Sequence, residues 1–356
     1  MAKKNIGVLF GGKSVEHDVS VLSAKNIIQN IDRDNYMVSL LGIDKKGKWY
    51  LCESIDIPIN SGVPLTINLD ATNPMIFAGD KELKIDAIFP ILHGTDGEDG
   101  SVQGLLKTLN IAYVGSGVIG SAAAMDKLIT KRVLQSAGLP VADFLAYSFY
   151  EQEDIHYPEV VEKVGLPFII KPVNLGSSVG VTKVTKEEEF KEALDIAFNY
   201  DTVILIEEFV AGREVECAIM GNEDPVVSVA GEIVLSKTYD FYSFTAKYED
   251  PDSAHITIPA DMPESIHNRV KELSLKSYQL LNCLDLARVD LFVKENGDIY
   301  VNEINTLPGF TNISMYPSLI QNEGIGYSEL ITRLIEMALK RHAQSNRIST
   351  DYASNL

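Results

Sequence analysis

The chain has 356 residues, 46% hydrophobic and 23% charged, an ordinary globular balance that excludes disordered and fibrous classes. Its formal net charge of −19 disfavours a general role on nucleic acid or anionic membranes, both of which need a positive field. The widely spaced Cys52, Cys217 and Cys283 make no CxxC pair, so they predict buried reduced thiols in a cytoplasmic protein, not a zinc site or a disulfide framework.

The length suggests two or three domains, and no apolar run approaches the ~20 residues of a membrane span. In chain order, "NIGVLFGG" reads as a buried strand ending in a glycine turn. "HDVSVLSAKNIIQNI" reads as a helix whose Val19, Leu22, Ile27 and Ile28 share a face. "YMVSLLGI" is a second strand, and residues 52–84, with Pro58, Gly62, Pro64 and Pro74, read as an insertion or decorated loop. "IDAIFPIL" is a third strand running into the polar "HGTDGEDG", followed by the helix "SVQGLLKTLN" and the short strand "IAYVG". Such alternation predicts a doubly wound parallel sheet, an α/β first domain over 1–124.

"GSAAAMDKLITKRVLQSAGLP" reads as one strong helix stopped by Gly138 and Pro140. A domain boundary falls near its start, and a small α+β central domain over 125–212 follows, with "PFIIKPV", "GVTKVT", "KEEEFKEALDIAFNY" and "TVILIEEFV". Residues 213–345 are strand-rich and predict a third domain with a mixed or antiparallel sheet and helices; 346–356 form a tail. Within the third domain, "SKTYDFYSFTAKYEDPDSAH" has no period and is long for a passive connection, so 237–255 reads as a lid.

Two stretches match motifs of unrelated folds. Gly7–Ser14, "GVLFGGKS", has the Walker A spacing, but Val8, Leu9 and Phe10 belong to the strand and cannot form the phosphate loop. Gly11 and Gly12 still mark the place where a ligand meets a helix N-terminus. Gly176–Gly180, "GSSVG", has the nucleophile-elbow spacing around Ser178, but the "GVTKV" after it reads as a strand where a helix is required. A hairpin loop behind Lys171 accounts better for its glycines and serines, offering N–H groups and hydroxyls to phosphate oxygens.

The strongest chemistry lies in "RVDLFV…YVNEINTLPGF". Arg288 and Asp290 alternate along one strand and share a face; Glu303 and Asn305 do so on the next, across a hairpin turn at Glu295–Asp298. Two carboxylates and an amide are hard oxygen ligands suited to Mg²⁺ on nucleotide phosphates. Arg288 suits negative charge on a reacting carbonyl or phosphoryl oxygen.

Taken together, "VLFGGKSVEHDVS", "HGTDGEDGSVQG", "AMDK", "IIKPVNLGSSVGV", "LIEEFVAGREVE", "AKY", "RVDLF" and "NEINTLPGFT" make the chain resemble the D-alanine–D-alanine ligases of the ATP-grasp fold over nearly its whole length. The resemblance implies that ATP drives the joining of two D-alanines through an acyl phosphate, for peptidoglycan precursors, with D-serine or D-lactate as alternative second substrates. It implies that Glu16 binds the first ammonium with His93 beside it, and that Ser177 links Glu16 to Tyr248. Lys127, Lys171, Ser177 and Ser178 would serve the ATP phosphates, Glu207 the adenine and Glu214 the ribose. Lys247, also in the nucleotide set, and Ser314 would hold the second carboxylate. Asp290, Glu303 and Asn305 would bind two Mg²⁺ or Mn²⁺, and Arg288 with the Gly309 amide would form an oxyanion hole. Tyr248 favours an amine nucleophile over a hydroxyl one. A cytoplasmic homodimer acting on small molecules, with neither nucleic acid nor membrane as partner, completes the expectation.

Overall fold

The structure, a computed structural model, describes residues 3–70, 72, 75–235 and 254–349. Strand β1 (Lys4–Gly11) carries Ile6, Val8, Leu9 and Phe10, all buried, the continuous apolar run expected of a parallel strand covered on both faces. After it come α1 (His17–Asn30), β2 (Tyr36–Ile43), β3 (Trp49–Cys52), β4 (Val63–Asn68), β5 (Met75–Ala78), β6 (Lys81–Leu83), β7 (Ala87–Pro90) and α2 (Ser101–Thr108). The sheet order is β6-β5-β4-β3-β2-β1-β7. Its parallel part is β2-β1-β7, and the segment read as an insertion continues it as antiparallel strands. Pro58 and Gly62 precede β4 instead of interrupting it, and Pro64 is its second residue, just before its ladder with β5 begins at Leu65.

The "GSAAAMDKLITKRVLQSAGLP" stretch forms two helices, α3 (Val118–Met125) and α4 (Lys127–Ser136). Asp126 leaves helical geometry at ψ 101°, and its side chain accepts the Ile129 N–H at 2.8 Å. Aspartate is a poor interior residue and a strong N-cap, which explains the break that propensity summed over the segment hides. The break makes Lys127 the first residue of α4, and its N–H reaches the Val173 carbonyl at 3.2 Å.

The second sheet contains β8 (Phe144–Ser148), β9 (Phe168–Pro172), β10 (Thr182–Val184) and β11 (Val203–Glu208) in the order β10-β9-β11-β8, all antiparallel. Helices α5 (Tyr157–Val164) and α6 (Phe190–Phe198) bury Val160, Ala193 and Ala197 against Phe168, Ile170 and Ile206. The third sheet has β12 (Arg213–Met220), β13 (Val226–Leu235), β14 (Ala254–Thr257), β15 (Leu286–Val293) and β16 (Ile299–Asn305), antiparallel in the order β14-β13-β12-β15-β16. Against it lie Val270 and Leu273 of α7 (Glu264–Leu280), and also Leu134 of α4, which the sequence boundaries place in the central unit. Helices α8 (Met315–Asn322) and α9 (Tyr327–Ser345) return to the first sheet, where Leu330, Ile331 and Leu334 share a core with Ile6, Val8 and Phe10.

Replacing the cap, Asp126→Ala, should cost about 1 kcal/mol of stability, and Asp126→Asn much less, in urea unfolding followed by circular dichroism. Equal effects from both would show that the cap does not set the break.

Candidate active site

Part of the expected site meets where the second and third sheets face each other, whereas Glu16, His93, Arg288, Asn305, Gly309 and Ser314 stand outside the cavity's lining. A cavity of about 340 Å³ between them is lined by Lys127, Lys171, Glu207, Glu214, Asp290 and Glu303, among others. On the third-sheet side, strand register builds the wall. Glu216 on β12 pairs with Asp290 on β15, and Asp290 with Glu303 on β16, which sets three carboxylates in a row. Arg288 lies one step along, opposite Asn305. Its Nε and terminal nitrogen donate to the two Asp290 oxygens, each at 2.7 Å, and Nε also lies 2.9 Å from Glu216 Oε2. Burial works against the Arg288 charge, and Asp290 and Glu216 outweigh it, so its pKa is raised. The register shifts just beyond Asp290, leaving Asn302 as an extra residue on β16. The Asn302 amide oxygen accepts from Lys171 Nζ at 3.4 Å.

The donor set suits a divalent cation, since Asp290 and Glu303 stand side by side and Asn305 adds an amide. Asn305 Nδ2 donates to Asp290 Oδ2 at 3.0 Å, so a cation taking Asp290 does so in competition with Arg288 and Asn305. Among the described residues no cluster of three His, Cys, Asp or Glu side chains has metal-binding geometry. Water and the oxygens of a bound phosphate would complete the shell.

From the central side, Lys127 Nζ donates to the Leu175 carbonyl at 2.6 Å and lies 3.5 Å from Glu303 Oε2. Lys171 Nζ lies 3.0 Å from Glu207 Oε2. Lys131, fully buried, stands 3.4 Å from the other Glu207 oxygen. Burial pushes the Glu207 carboxyl up, and Lys131 and Lys171 more than offset it, so its pKa is lowered.

Strands β9 and β10 pair antiparallel, and the glycine–serine loop joins them, as the hairpin reading expected. Ser177 and Ser178 take left-handed φ of 53° and 57°, a costly conformation for residues with a side chain. Ser177 Oγ donates to Glu16 Oε1, which ties the loop to the start of α1. The fit is close: a Cβ on Gly176 would stand 3.2 Å from Glu16 Oε2, and one on Gly94 only 2.6 Å from it.

His93 Nδ1 donates to the Leu307 carbonyl at 3.0 Å, which leaves Nε2 to accept from Ser23 Oγ at 3.1 Å. Ser23 in turn accepts the Phe310 N–H at 3.2 Å. Burial lowers the His93 pKa, so the ring is neutral and both nitrogens are engaged. This ring fastens the 307–310 loop, which contains Gly309, to the first domain. Ser314 caps that loop's far side, accepting the Thr311 N–H at 3.0 Å, and a Cβ on Gly309 would stand 2.9 Å from Ser314 Oγ.

Glu16, His93, Lys127, Lys171, Ser177, Ser178, Glu207, Glu214, Arg288, Asp290, Glu303, Asn305, Gly309 and Ser314 are all described, whereas Lys247, Tyr248 and most of the 237–255 stretch lie outside the described residues. Sequence reasoning missed Glu98, Glu216 and Lys131. Glu98 accepts the Gly94 N–H at 2.7 Å and the Leu307 N–H at 3.3 Å, and burial, with the nearby Glu16 charge, pushes its carboxyl up to about 8. Signals existed for the other two: Glu216 alternates with Glu214 along a strand, and Lys131 follows Lys127 at helical spacing.

A lysine-bearing sheet and a carboxylate-bearing sheet closing on one cavity define an ATP-grasp fold. Family models for the D-ala D-ala ligase N-terminus and C-terminus match residues 5–116 and 133–336. The chain is 47% identical to a D-alanine–D-alanine ligase of Shouchella clausii, covering 98% of both proteins. It is 47% identical to D-alanine–D-alanine ligase A of Escherichia coli K12, covering 98% of this chain and all of that one. Among solved structures, the D-alanine-D-alanine ligase from Coxiella burnetii superposes with a TM-score of 0.86 at 36% identity, over 98% of this chain and 97% of that one. The VanG D-Ala:D-Ser ligase from Enterococcus faecalis does so with a TM-score of 0.86 at 32% identity, over 95% and 100%. The chain belongs to the D-alanine–D-alanine ligase family.

The Glu98 environment makes a pH prediction. A carboxyl raised from 4.5 to about 8 holds a proton in the folded state that the unfolded chain has released. Its contribution to stability is therefore greatest at low pH and is lost as pH rises through about 8. Glu98→Gln should gain stability relative to the unaltered protein between pH 6 and 8. A stability difference that does not change over this range would contradict the assignment.

Proposed function

We propose that this cleft joins two D-alanine molecules into D-alanyl-D-alanine at the expense of ATP, supplying a peptidoglycan precursor. The observation that carries the reading is the convergence on one cavity of Lys127 and Lys171 from one side and Glu216, Asp290 and Glu303 from the other, with Glu16 tethered alongside through Ser177. A carboxylate is a poor electrophile at neutral pH. Transfer of the γ-phosphoryl group from ATP to the first D-alanine carboxylate breaks the bond to ADP and makes an acyl phosphate. The amine of the second D-alanine then forms the C–N bond, the C–O bond to phosphate breaks, and the nitrogen loses a proton.

Each described residue has a part. Glu16 takes the first ammonium, and Ser177, bonded to it, brings the loop over the reacting carboxylate. His93, with both nitrogens engaged, acts by holding the 307–310 loop, whose Gly309 N–H would serve the developing oxyanion together with Arg288. Lys127 and Lys171 meet the phosphates, Glu207 the adenine and Glu214 the ribose. Ser314, with Lys247, holds the second carboxylate. Asp290, Glu303 and Asn305 would hold two Mg²⁺, or Mn²⁺, whose charge offsets that of the phosphates. Acyl phosphates hydrolyse readily, so the Gly176–Gly180 loop and the 237–255 segment serve to keep water out. The domain boundaries at 124 and 212, a cytoplasmic location and a homodimer belong to the same proposal; the three buried free thiols support the location.

Incubation with ATP, Mg²⁺ and D-alanine alone should release one phosphate for each D-alanyl-D-alanine identified by mass. Phosphate release only on addition of D-serine or D-lactate would overturn the second substrate. The variant Gly94→Ala, which crowds Glu16 and strains a φ of 73°, should raise KM for D-alanine about tenfold while leaving the affinity for an ATP analogue unchanged. An unaltered KM for D-alanine would remove Glu16 from the first-substrate site.

A further inference from the structure

Lys131 is a buried cation that no step above uses. Its side chain is 1% exposed, and its Nζ and Glu207 Oε1 have no hydrogen bond of ordinary geometry among the described residues, only their mutual ion pair at 3.4 Å. The ring of Phe144 lies 5.8 Å from Nζ. Withdrawing an ammonium from water costs several kcal/mol, and an apolar side chain of the same length would fill this space without that cost. A lysine retained here points to a use for its charge.

Glu207 lies between two ammoniums, with Lys131 at Oε1 and Lys171 at Oε2, 3.0 Å away. Lys131 does not reach the cavity; Lys171 lines it. Taken with Lys131, the trio carries a single positive charge. Without it, Glu207 and Lys171 cancel, and both Glu207 oxygens compete for the one ammonium that faces the cavity. Lys127 and Lys131, one turn apart on α4, thus serve the same cavity, Lys127 directly and Lys131 through Glu207.

We propose that Lys131 is a positioning residue for the nucleoside triphosphate: by occupying Glu207 Oε1 it leaves the Lys171 charge uncancelled and its Nζ held between Glu207 Oε2 and Asn302 for the incoming phosphates. The inference rests on the cleft being the ATP site. Burial lowers the Lys131 ammonium pKa, and the Glu207 carboxylate opposes that shift.

The test is a double-substitution cycle on the whole chain, read as equilibrium binding of a non-hydrolysable ATP analogue with Mg²⁺ and as KM for D-alanine. Lys131→Met should weaken analogue binding about tenfold with KM for D-alanine unchanged, and Lys131→Arg, which keeps the charge, should recover most of that loss. In the Glu207→Gln background, where Lys171 is already uncancelled, Lys131→Met should cost less than about threefold. Equal losses in both backgrounds would overturn the proposal. So would a parallel loss of D-alanine and nucleotide affinity with a lowered melting midpoint, which marks a merely structural lysine. No binding of the analogue to the unaltered protein would instead overturn the ATP reading beneath it.

Discussion

Three carboxylates set side by side on adjacent strands repel one another, and the molecule is arranged around that repulsion. Register places Glu216, Asp290 and Glu303 in a row on β12, β15 and β16, where like charges are destabilising unless cations answer them. Arg288 answers from within the sheet, and Lys127 from across the cleft at 3.5 Å from Glu303. Lys127 is the first residue of α4, so this contact holds the start of that helix against the end of the row. A triphosphate with divalent cations suits the same place, because it brings negative charge to the lysines and positive charge to the carboxylates. The cavity's two walls thus suit a ligand that carries both signs of charge.

The amino-acid end of the site depends on a different junction. Loop 307–310 is fixed to the first domain by neutral His93, by Ser23 and by Glu98, so the segment after β16 is joined to the first sheet's unit. The shared core of α9 with β1 makes that junction rigid. The central sheet has its own core and touches the first domain's site through Ser177 and Glu16.

Much of this was legible from residue spacing. The alternation of Arg288 with Asp290 and of Glu303 with Asn305, across a glycine-bearing turn, leaves one face polar and one apolar, and the structure shows that hairpin. Context excludes both formal motifs: Val8–Phe10 lie in β1, and Ser178 sits between two antiparallel strands. What stayed hidden depended on competition or on tertiary burial. Asp126 breaks a segment that helix propensity alone runs through. Prolines near β4 pointed to a loop, although they sit where strands accept them. Glu98 and Lys131 acquire their character only from what encloses them, and no periodicity reports that.

In the proposed reaction a D-alanine carboxylate is phosphorylated by ATP before the peptide bond forms. D-alanine labelled with ¹⁸O in both carboxylate oxygens, turned over with unlabelled ATP and Mg²⁺, tests it directly through the mass of the phosphate released. An acyl phosphate predicts one ¹⁸O in each phosphate, carried over when the C–O bond breaks. Phosphate free of label, with dipeptide formed, would contradict the account.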